Sequence, residues 1–104
     1  MQVDHAKIRR EAMRWNIMRC LDHARPAGAS EQIIVETMRV LYPDVTPLEV
    51  RRELSYLDER VLVEVEVEPI GYWRAQLTRH GVDVVEYTVD CQPGVARPPK
   101  YWAG

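Results

Sequence analysis

The chain has 104 residues, of which 46% are hydrophobic and 29% are charged, and its formal net charge is −2. This composition indicates one folded domain and excludes a disordered chain. No apolar run approaches the ~20 residues of a membrane span, and the charged N-terminal stretch lacks the apolar segment of a secretory signal. Two cysteines are too few for a disulfide framework, so we expect a cytoplasmic protein with no membrane partner.

Residues 4–24 have the apolar spacing of a long amphipathic helix. One stripe is expected to face the core, at Met13, Ile17, Cys20, Leu21 and Ala24, and a second lies beside it, at Ile8, Ala12 and Trp15. Two adjoining stripes are more than one small core needs, which predicts contact with a partner subunit. Residues 1–25 hold six basic and three acidic side chains, so any basic surface is mostly on this helix.

Two further helices, beginning at Ser30 and Thr46, are joined by a short turn and predict a helix-turn-helix. Ser30 is a good N-cap, and Pro43 ends the helix that it begins. The inner face of that helix is predicted at Ile33, Ile34, Thr37, Met38 and Leu41. The next helix, residues 46–60, begins with the cap, N-terminal proline and capping box of Thr46, Pro47 and Glu49. Its buried stripe is predicted at Val50, Leu54 and Leu57.

The next segment alternates apolar and polar residues and predicts a β-hairpin, with strands at 62–68 and 73–77. Thr78 then caps a last short helix. We therefore expect one α+β domain over residues 1–90. Residues 91–104 form a proline-rich tail that is too irregular for a helix or strand. Its Tyr101 and Trp102 predict packing on the domain or on a partner subunit, and we expect a homodimer through the first helix and this tail.

The stretches TPLEVRRELSYLDERVLVEVE and WRAQLTRHG resemble the winged helix-turn-helix superfamily, with the topology of MarR and PadR regulators. The likeness covers roughly residues 30–87, and it includes the Leu77-Thr78-Arg79-His80-Gly81 entry into the closing helix. The whole chain, with ARPAGAS and PGVARPPKYW, resembles small winged-helix proteins of Mu-like phages and prophages. The resemblance implies three helices, a hairpin wing and a phage or prophage origin. It implies no established biochemical activity.

In a helix-turn-helix protein the second helix enters the major groove of DNA, and its outward side chains contact the bases. Helical spacing places Leu48, Arg52, Ser55 and Tyr56 outward, with Arg51 on the flank. Arg52 suits a guanine edge, Leu48 a thymine methyl and Arg51 a phosphate. The predicted DNA-binding set is Thr46, Leu48, Arg51, Arg52, Ser55, Tyr56 and Arg74. The alternative is that the arginines form a solvated face, with Arg52 paired to Glu49.

The predicted wing argues against a DNA role, because its outward positions carry Glu64, Glu66 and Glu68 against Arg74 alone. A wing that contacts the DNA backbone needs arginine or lysine there. The glutamates are either the polar face of a two-faced strand, which also discourages aggregation, or a site for a basic partner. Lys7, Arg10 and Arg14 of the first helix are either phosphate contacts beside the groove or a solubilising face.

We predict no enzyme, no cofactor and no metal site. Cys20 and His23 lie three residues apart on one helix, but a zinc site needs about four ligands and Cys20 falls on the apolar stripe. No phosphate-binding glycine loop and no nucleophile motif is found. The favoured function is a non-enzymatic DNA-binding protein, specifically a phage or prophage transcriptional regulator. The alternative is a protein-interaction module built on the same scaffold.

Val61 stands where a winged-helix junction usually has glycine. Valine resists the left-handed backbone conformation that ends many helices. We therefore expect the helix to end without that conformation and the side chain of Val61 to enter the core.

Overall fold

A computed structural model describes residues 2–100 and shows four helices and a three-stranded antiparallel sheet. The elements in chain order are α1 (His5–His23), β1 (Ala29–Ser30), α2 (Glu31–Leu41), α3 (Pro47–Glu59), β2 (Val63–Val67), β3 (Trp73–Leu77) and α4 (Arg79–Val85). The predicted α+β order of three helices, a hairpin wing and a closing helix is confirmed. No helix in this part of the chain is both long and apolar enough to cross a membrane.

The sheet has the strand order β1-β3-β2, so the hairpin of β2 and β3 carries β2 at one open edge. Val65 lies opposite Ala75, and Glu66 lies opposite Arg74. The two-residue strand β1 was not predicted. It pairs Ala29 with Ala75 and leads directly into α2, so it ties the start of the helix-turn-helix to the wing.

The core lies where α1, α2, α3 and the inner face of the sheet meet. Val50, Leu54 and Leu57 of α3 are fully buried, as predicted. The other fully buried large side chains are Met13, Ile17, Met18, Leu21, Ile34, Met38, Val63 and Val84. The predicted inner face of α2 is correct for Ile34 and Met38 and wrong for Ile33, Thr37 and Leu41, which are exposed. Ile34, Val35 and Met38 face inward, whereas Ile33 is 57% exposed and Leu41 55% exposed. Glu31, at the start of α2, is also buried on this side of the helix.

The second apolar stripe of α1 is covered within the chain at its centre. Trp15 is buried and packs edge-on against Tyr87, which follows α4. The tail then runs back over α1, where the Ala96 N–H donates to the Glu11 carbonyl. Ile8, nearer the start of the helix, is 57% exposed. Tyr101 and Trp102, on which the packing of the tail was argued, lie outside the described residues.

The expectation for Val61 is wrong on both points. Val61 adopts the left-handed conformation, with φ of 60°, and its side chain is 62% exposed. The Leu62 N–H donates to the Leu57 carbonyl and the Val61 N–H to the Asp58 carbonyl, which together form a Schellman motif. Leu62 is buried beside Leu57 in place of Val61. The two hydrogen bonds and the burial of Leu62 offset a backbone strain of about 1–2 kcal/mol.

Gly81, in the first turn of α4, has a packing role that its sequence position did not reveal. A Cβ atom there would lie 2.0 Å from the Leu62 carbonyl oxygen. Glycine therefore permits the close approach of α4 to the junction of α3 and β2. Thr78 fixes the same junction, because its side chain caps α4 and donates to the Val61 carbonyl at 2.6 Å.

Candidate nucleic-acid interface

The outer face of α3 is a solvent-exposed strip opposite its buried stripe. Leu48 is 58% exposed, and Arg52, Ser55 and Glu59 are exposed. Thr46 caps the helix by accepting the Glu49 N–H at 3.1 Å, so its hydroxyl is engaged in the fold. The structure thus brings Leu48, Arg52 and Ser55 together on the face that a helix-turn-helix presents to the major groove.

Arg52 forms no hydrogen bond or ion pair within residues 2–100. The pair with Glu49 that would have neutralised it is not formed, because Arg9 of α1 binds that carboxylate at 2.7 and 2.9 Å. Arg9 also reaches Asp44 at 3.0 Å, and these hydrogen bonds raise its pKa. The Glu49 side chain therefore does not complete the predicted capping box. The positive charge of Arg52 is left available to an outside partner.

Arg51 is half-buried and is held against the wing by Glu31. Its guanidinium binds both carboxylate oxygens at 2.6 Å, donates to the Gly71 carbonyl at 3.1 Å and stacks over the Trp73 ring at 4.9 Å. Glu31 is 5% exposed and also accepts the Trp73 N–H at 2.9 Å. The hydrogen bonds from Arg51 outweigh the effect of burial and hold the pKa of Glu31 below its usual range. This pair, here called the Glu31–Arg51 clamp, joins α2, α3 and the wing.

Tyr56 lies between the tail and two arginines. The guanidinium of Arg14 sits 3.5 Å from its ring centroid, and that of Arg60 sits 4.7 Å from it. Arg14 also binds Glu53 at 2.8 Å and the Gly94 carbonyl at 2.9 Å. A Cβ atom on Gly94 would lie 2.0 Å from the Tyr56 hydroxyl, so the tail passes directly against that oxygen. Tyr56 and Arg14 are therefore both engaged with the tail.

The wing is acidic on its outer side. Glu64, Glu66 and Glu68 are exposed, and none of them forms an ion pair in the part of the chain that the structure describes. Arg74 lies directly across from Glu66, but its guanidinium donates to the Ala27 carbonyl at 2.9 Å. Arg74 thus braces the loop before β1, and the wing offers little positive charge to a phosphate.

The start of α1 lies beside the first half of α3, because Arg9 spans the two helices to Glu49. Lys7 and Arg10 flank Arg9 and are exposed, and neither side chain has a hydrogen-bond or ion-pair partner among residues 2–100. Of the predicted basic row, these two remain open to solvent, whereas Arg14 is engaged with Glu53. Lys7 and Arg10 are thus exposed cations on the helix that Arg9 joins to the first turn of α3.

Two carboxylates that organise this surface were missed in the sequence. Neither Glu31 nor Glu53 was among the predicted site residues. Both are buried, at 5% and 3% exposure. Glu53 lies one residue before Leu54 on the buried side of α3. This position could have indicated that its carboxylate is buried.

The remaining candidates for reactive or metal-binding groups are the two cysteines. Cys20 and Cys91 are partly buried, and burial raises the pKa of each thiol. No group of three histidine, cysteine, aspartate or glutamate side chains in residues 2–100 could hold a metal ion. An open cleft of about 540 Å³ between α2, α3 and the wing contains Glu36 and Arg39 besides the Glu31–Arg51 clamp. Glu36 and Arg39 bind each other, so the carboxylates of this cleft already have partners.

No family model matches the sequence, and no curated protein matches it either. A structural neighbour is the crystal structure of a "putative dna-binding protein" from Ralstonia eutropha JMP134. The superposition has a TM-score of 0.58 at 21% sequence identity, and it covers 86% of this chain and 100% of that one. At this identity the likeness concerns the fold.

Proposed function

We propose that the domain binds double-stranded DNA and inserts the outer face of α3 into the major groove. The observation that carries the proposal is Arg52, an exposed arginine without a partner among residues 2–100, centred on the outer face of the second helix of a helix-turn-helix. Arg52 pairs with a guanine edge, Ser55 bonds to a base or phosphate, and Leu48 contacts a thymine methyl. The description of the Ralstonia neighbour as DNA-binding supports the same class.

Lys7 and Arg10 are the proposed phosphate contacts, because they are exposed cations on α1, whose start Arg9 joins to α3. Of the other predicted contact residues, Thr46, Arg51, Tyr56 and Arg74 shape the surface through the bonds described above. We place them at the edge of the interface, where they hold α3, the wing and the tail in position.

The specific role proposed is a non-enzymatic transcription regulator of a phage or prophage, which acts in the host cytoplasm. This part rests on the resemblance of the whole chain to winged-helix proteins of Mu-like phages. The homodimer through α1 and the tail remains a prediction. Residues 91–100 pack on their own domain, whereas the exposed Ile8 of α1 leaves an apolar contact for a partner.

The test is fluorescence anisotropy on random-sequence duplex DNA at low salt, followed by a salt titration. We expect the logarithm of the affinity to fall linearly with the logarithm of salt, by ~0.9 for each phosphate neutralised. Arg52→Ala should reduce preference for a selected sequence by about 1–3 kcal/mol, whereas Lys7→Ala should weaken all duplexes alike and lower the slope by about 1.

Arg19→Ala is the matched control, since it removes one exposed arginine from α1, about 14 Å along the helix from Arg10. It should leave binding unchanged. No affinity for DNA at low salt, or an equal loss in Arg19→Ala and Arg52→Ala, would exclude the proposed interface.

A protein-interaction module is the second candidate function. It is favoured by the exposed acidic wing and by the internal engagement of Arg14, Arg51 and Arg74. If the folded protein does not bind DNA, the protein-interaction module becomes the favoured function.

A further inference from the structure

The outer strand of the wing has an open edge. β2 lies at the end of the sheet order, and β3 pairs along one side of it only. The Glu68 N–H donates to the Tyr72 carbonyl at 2.7 Å, and the Thr78 N–H donates to the Leu62 carbonyl at 3.1 Å. These bonds flank the ladder and set which residues of β2 face β3.

In an antiparallel ladder, the pairs that exchange hydrogen bonds alternate with pairs that do not. Glu64 and Glu66 therefore bond to β3, whereas Val63, Val65 and Val67 turn their N–H and C=O groups to the open side. Among residues 2–100 no group bonds to the backbone of these valines. Val63 is buried, Val65 is half-buried and Val67 is 63% exposed. The accessible edge is thus the second half of the strand.

The side chains along this edge decide what can pair with it. Glu64, Glu66 and Glu68 project from one face of the strand and are exposed, without an ion pair in the described part of the chain. Val65 and Val67 project from the other face. An added strand with lysine or arginine at alternate positions would place a cation beside each glutamate and an apolar residue beside each valine.

We propose that the open edge of β2 binds an extended basic segment of another protein as an added strand. The main-chain groups of Val65 and Val67 supply the hydrogen bonds, and Glu64, Glu66 and Glu68 select alternating cationic side chains. This surface is separate from the outer face of α3, and the inference does not depend on DNA binding.

A second copy of β2 is a poor occupant of the same edge. In an antiparallel self-pair centred on Val65, Glu64 of each copy would lie opposite Glu66 of the other. Like charges directly opposite each other destabilise a strand pair. The glutamates therefore oppose self-association and favour a partner of the opposite charge.

The probe is a fluorescein-labelled peptide of alternating lysine and valine, seven residues long and blocked at both ends. We expect the complete chain to bind it with a Kd of about 10–100 µM at about 20 mM salt. The same peptide with glutamate in place of lysine should not bind. In two-dimensional NMR spectra, bound peptide should slow amide hydrogen exchange at Val65 and Val67 and leave residues of α3 unchanged.

Val67→Pro removes an N–H that points to the open side, so it costs no bond of the hairpin and a proline is tolerated there. It should weaken peptide binding about tenfold, whereas Val67→Thr, which keeps the N–H, should bind within about twofold of the natural chain. The triple variant Glu64→Gln, Glu66→Gln, Glu68→Gln should weaken binding and abolish its salt dependence. Circular dichroism checks that each variant is folded.

Equal binding by Val67→Pro and Val67→Thr would overturn the proposal, because it would show charge attraction without strand addition. Failure of the folded natural chain to bind the lysine peptide up to 1 mM would overturn it too. Self-association of the natural chain that Val67→Pro abolishes would assign the edge to a second copy instead. Arg52→Ala should bind the peptide normally, so failure of DNA binding and failure of this inference are distinguishable.

Discussion

Val61 has a strained, left-handed backbone conformation that its neighbours in the fold impose. Its left-handed backbone is fixed by the two hydrogen bonds of the Schellman motif and by Thr78, which donates to its carbonyl. Tyr87, at φ of 63°, ends α4 with the same pair of bonds, from Thr88 to Asp83 and from Tyr87 to Val84. The ends of α3 and α4 are therefore set by the hydrogen bonds of the cap rather than by a glycine.

Val61→Gly should raise the free energy of unfolding by about 0.5–1 kcal/mol, measured by urea denaturation. The valine side chain is 62% exposed, so little burial is lost, and glycine adopts the left-handed conformation without a steric cost. Val67→Gly is the matched control, because that valine is 63% exposed but lies in a strand. The control should be destabilised, and a loss of stability in both variants would contradict the interpretation.

At the scale of elements, the Glu31–Arg51 clamp is the main polar contact between the helix-turn-helix and the wing. Glu31 begins α2 and accepts the Trp73 N–H, whereas Arg51 lies in α3 and donates to the Gly71 carbonyl. Gly71 and Trp73 both belong to the wing. Breaking the pair would leave a guanidinium and a backbone N–H without their acceptor in a partly dry site.

Glu31→Gln should lower the free energy of unfolding by about 2–3 kcal/mol at pH 7, measured by urea denaturation. The pKa of Glu31 is lower in the folded state than in the unfolded state, so its contribution is complete above the unfolded pKa. That contribution is lost as the pH falls through the folded pKa. The natural chain should therefore lose more stability on acidification than Glu31→Gln does.

Glu36→Gln is the control for this prediction, because Glu36 lies on the same helix but pairs with Arg39 in solvent. Its effect should stay below about 0.5 kcal/mol. Identical acid dependence in the natural chain and Glu31→Gln would show that the clamp does not govern the stability of the wing.

The sequence predicted the elements better than the contacts between them. Caps at Ser30, Thr46 and Thr78 and the alternation of the hairpin are local signals, and the structure has each of these elements in place. The strand β1 was missed because two residues carry no alternation, and the partners of Arg51 were missed because Glu31 is 20 positions away. Helical spacing placed Arg52 outward, but that spacing could not show that Arg9 would occupy Glu49.

For the molecule as a whole, residues 91–100 of the tail pack on the domain that they follow. Arg97 donates to the carbonyls of Val84 and Val89, and the Tyr87 hydroxyl donates to the Pro98 carbonyl. With the contacts to Glu11 and Arg14, the tail links the first helix, the third helix and the last helix. Its residues up to 100 close the side of the core that holds Trp15.

A chain ended after Asp90 should lose about 2–4 kcal/mol of unfolding free energy, because it loses several of these hydrogen bonds together. A chain ended after Lys100 keeps them and is the control. Sedimentation velocity on the complete chain and on both truncated chains tests the predicted dimer: packing within one chain predicts the same association state for all three, whereas a tail that holds a partner predicts a dimer for the complete chain and a monomer for the chain ended after Asp90.

Glu64, Glu66 and Glu68 of the wing have a consequence for how such a protein can diverge. None of them takes part in the clamp, the caps or the core. Replacing them with lysines would reverse the sign of the wing while leaving every described contact in place. A few surface substitutions can therefore change the sign of the charge that the wing presents, and the fold would give no sign of the change.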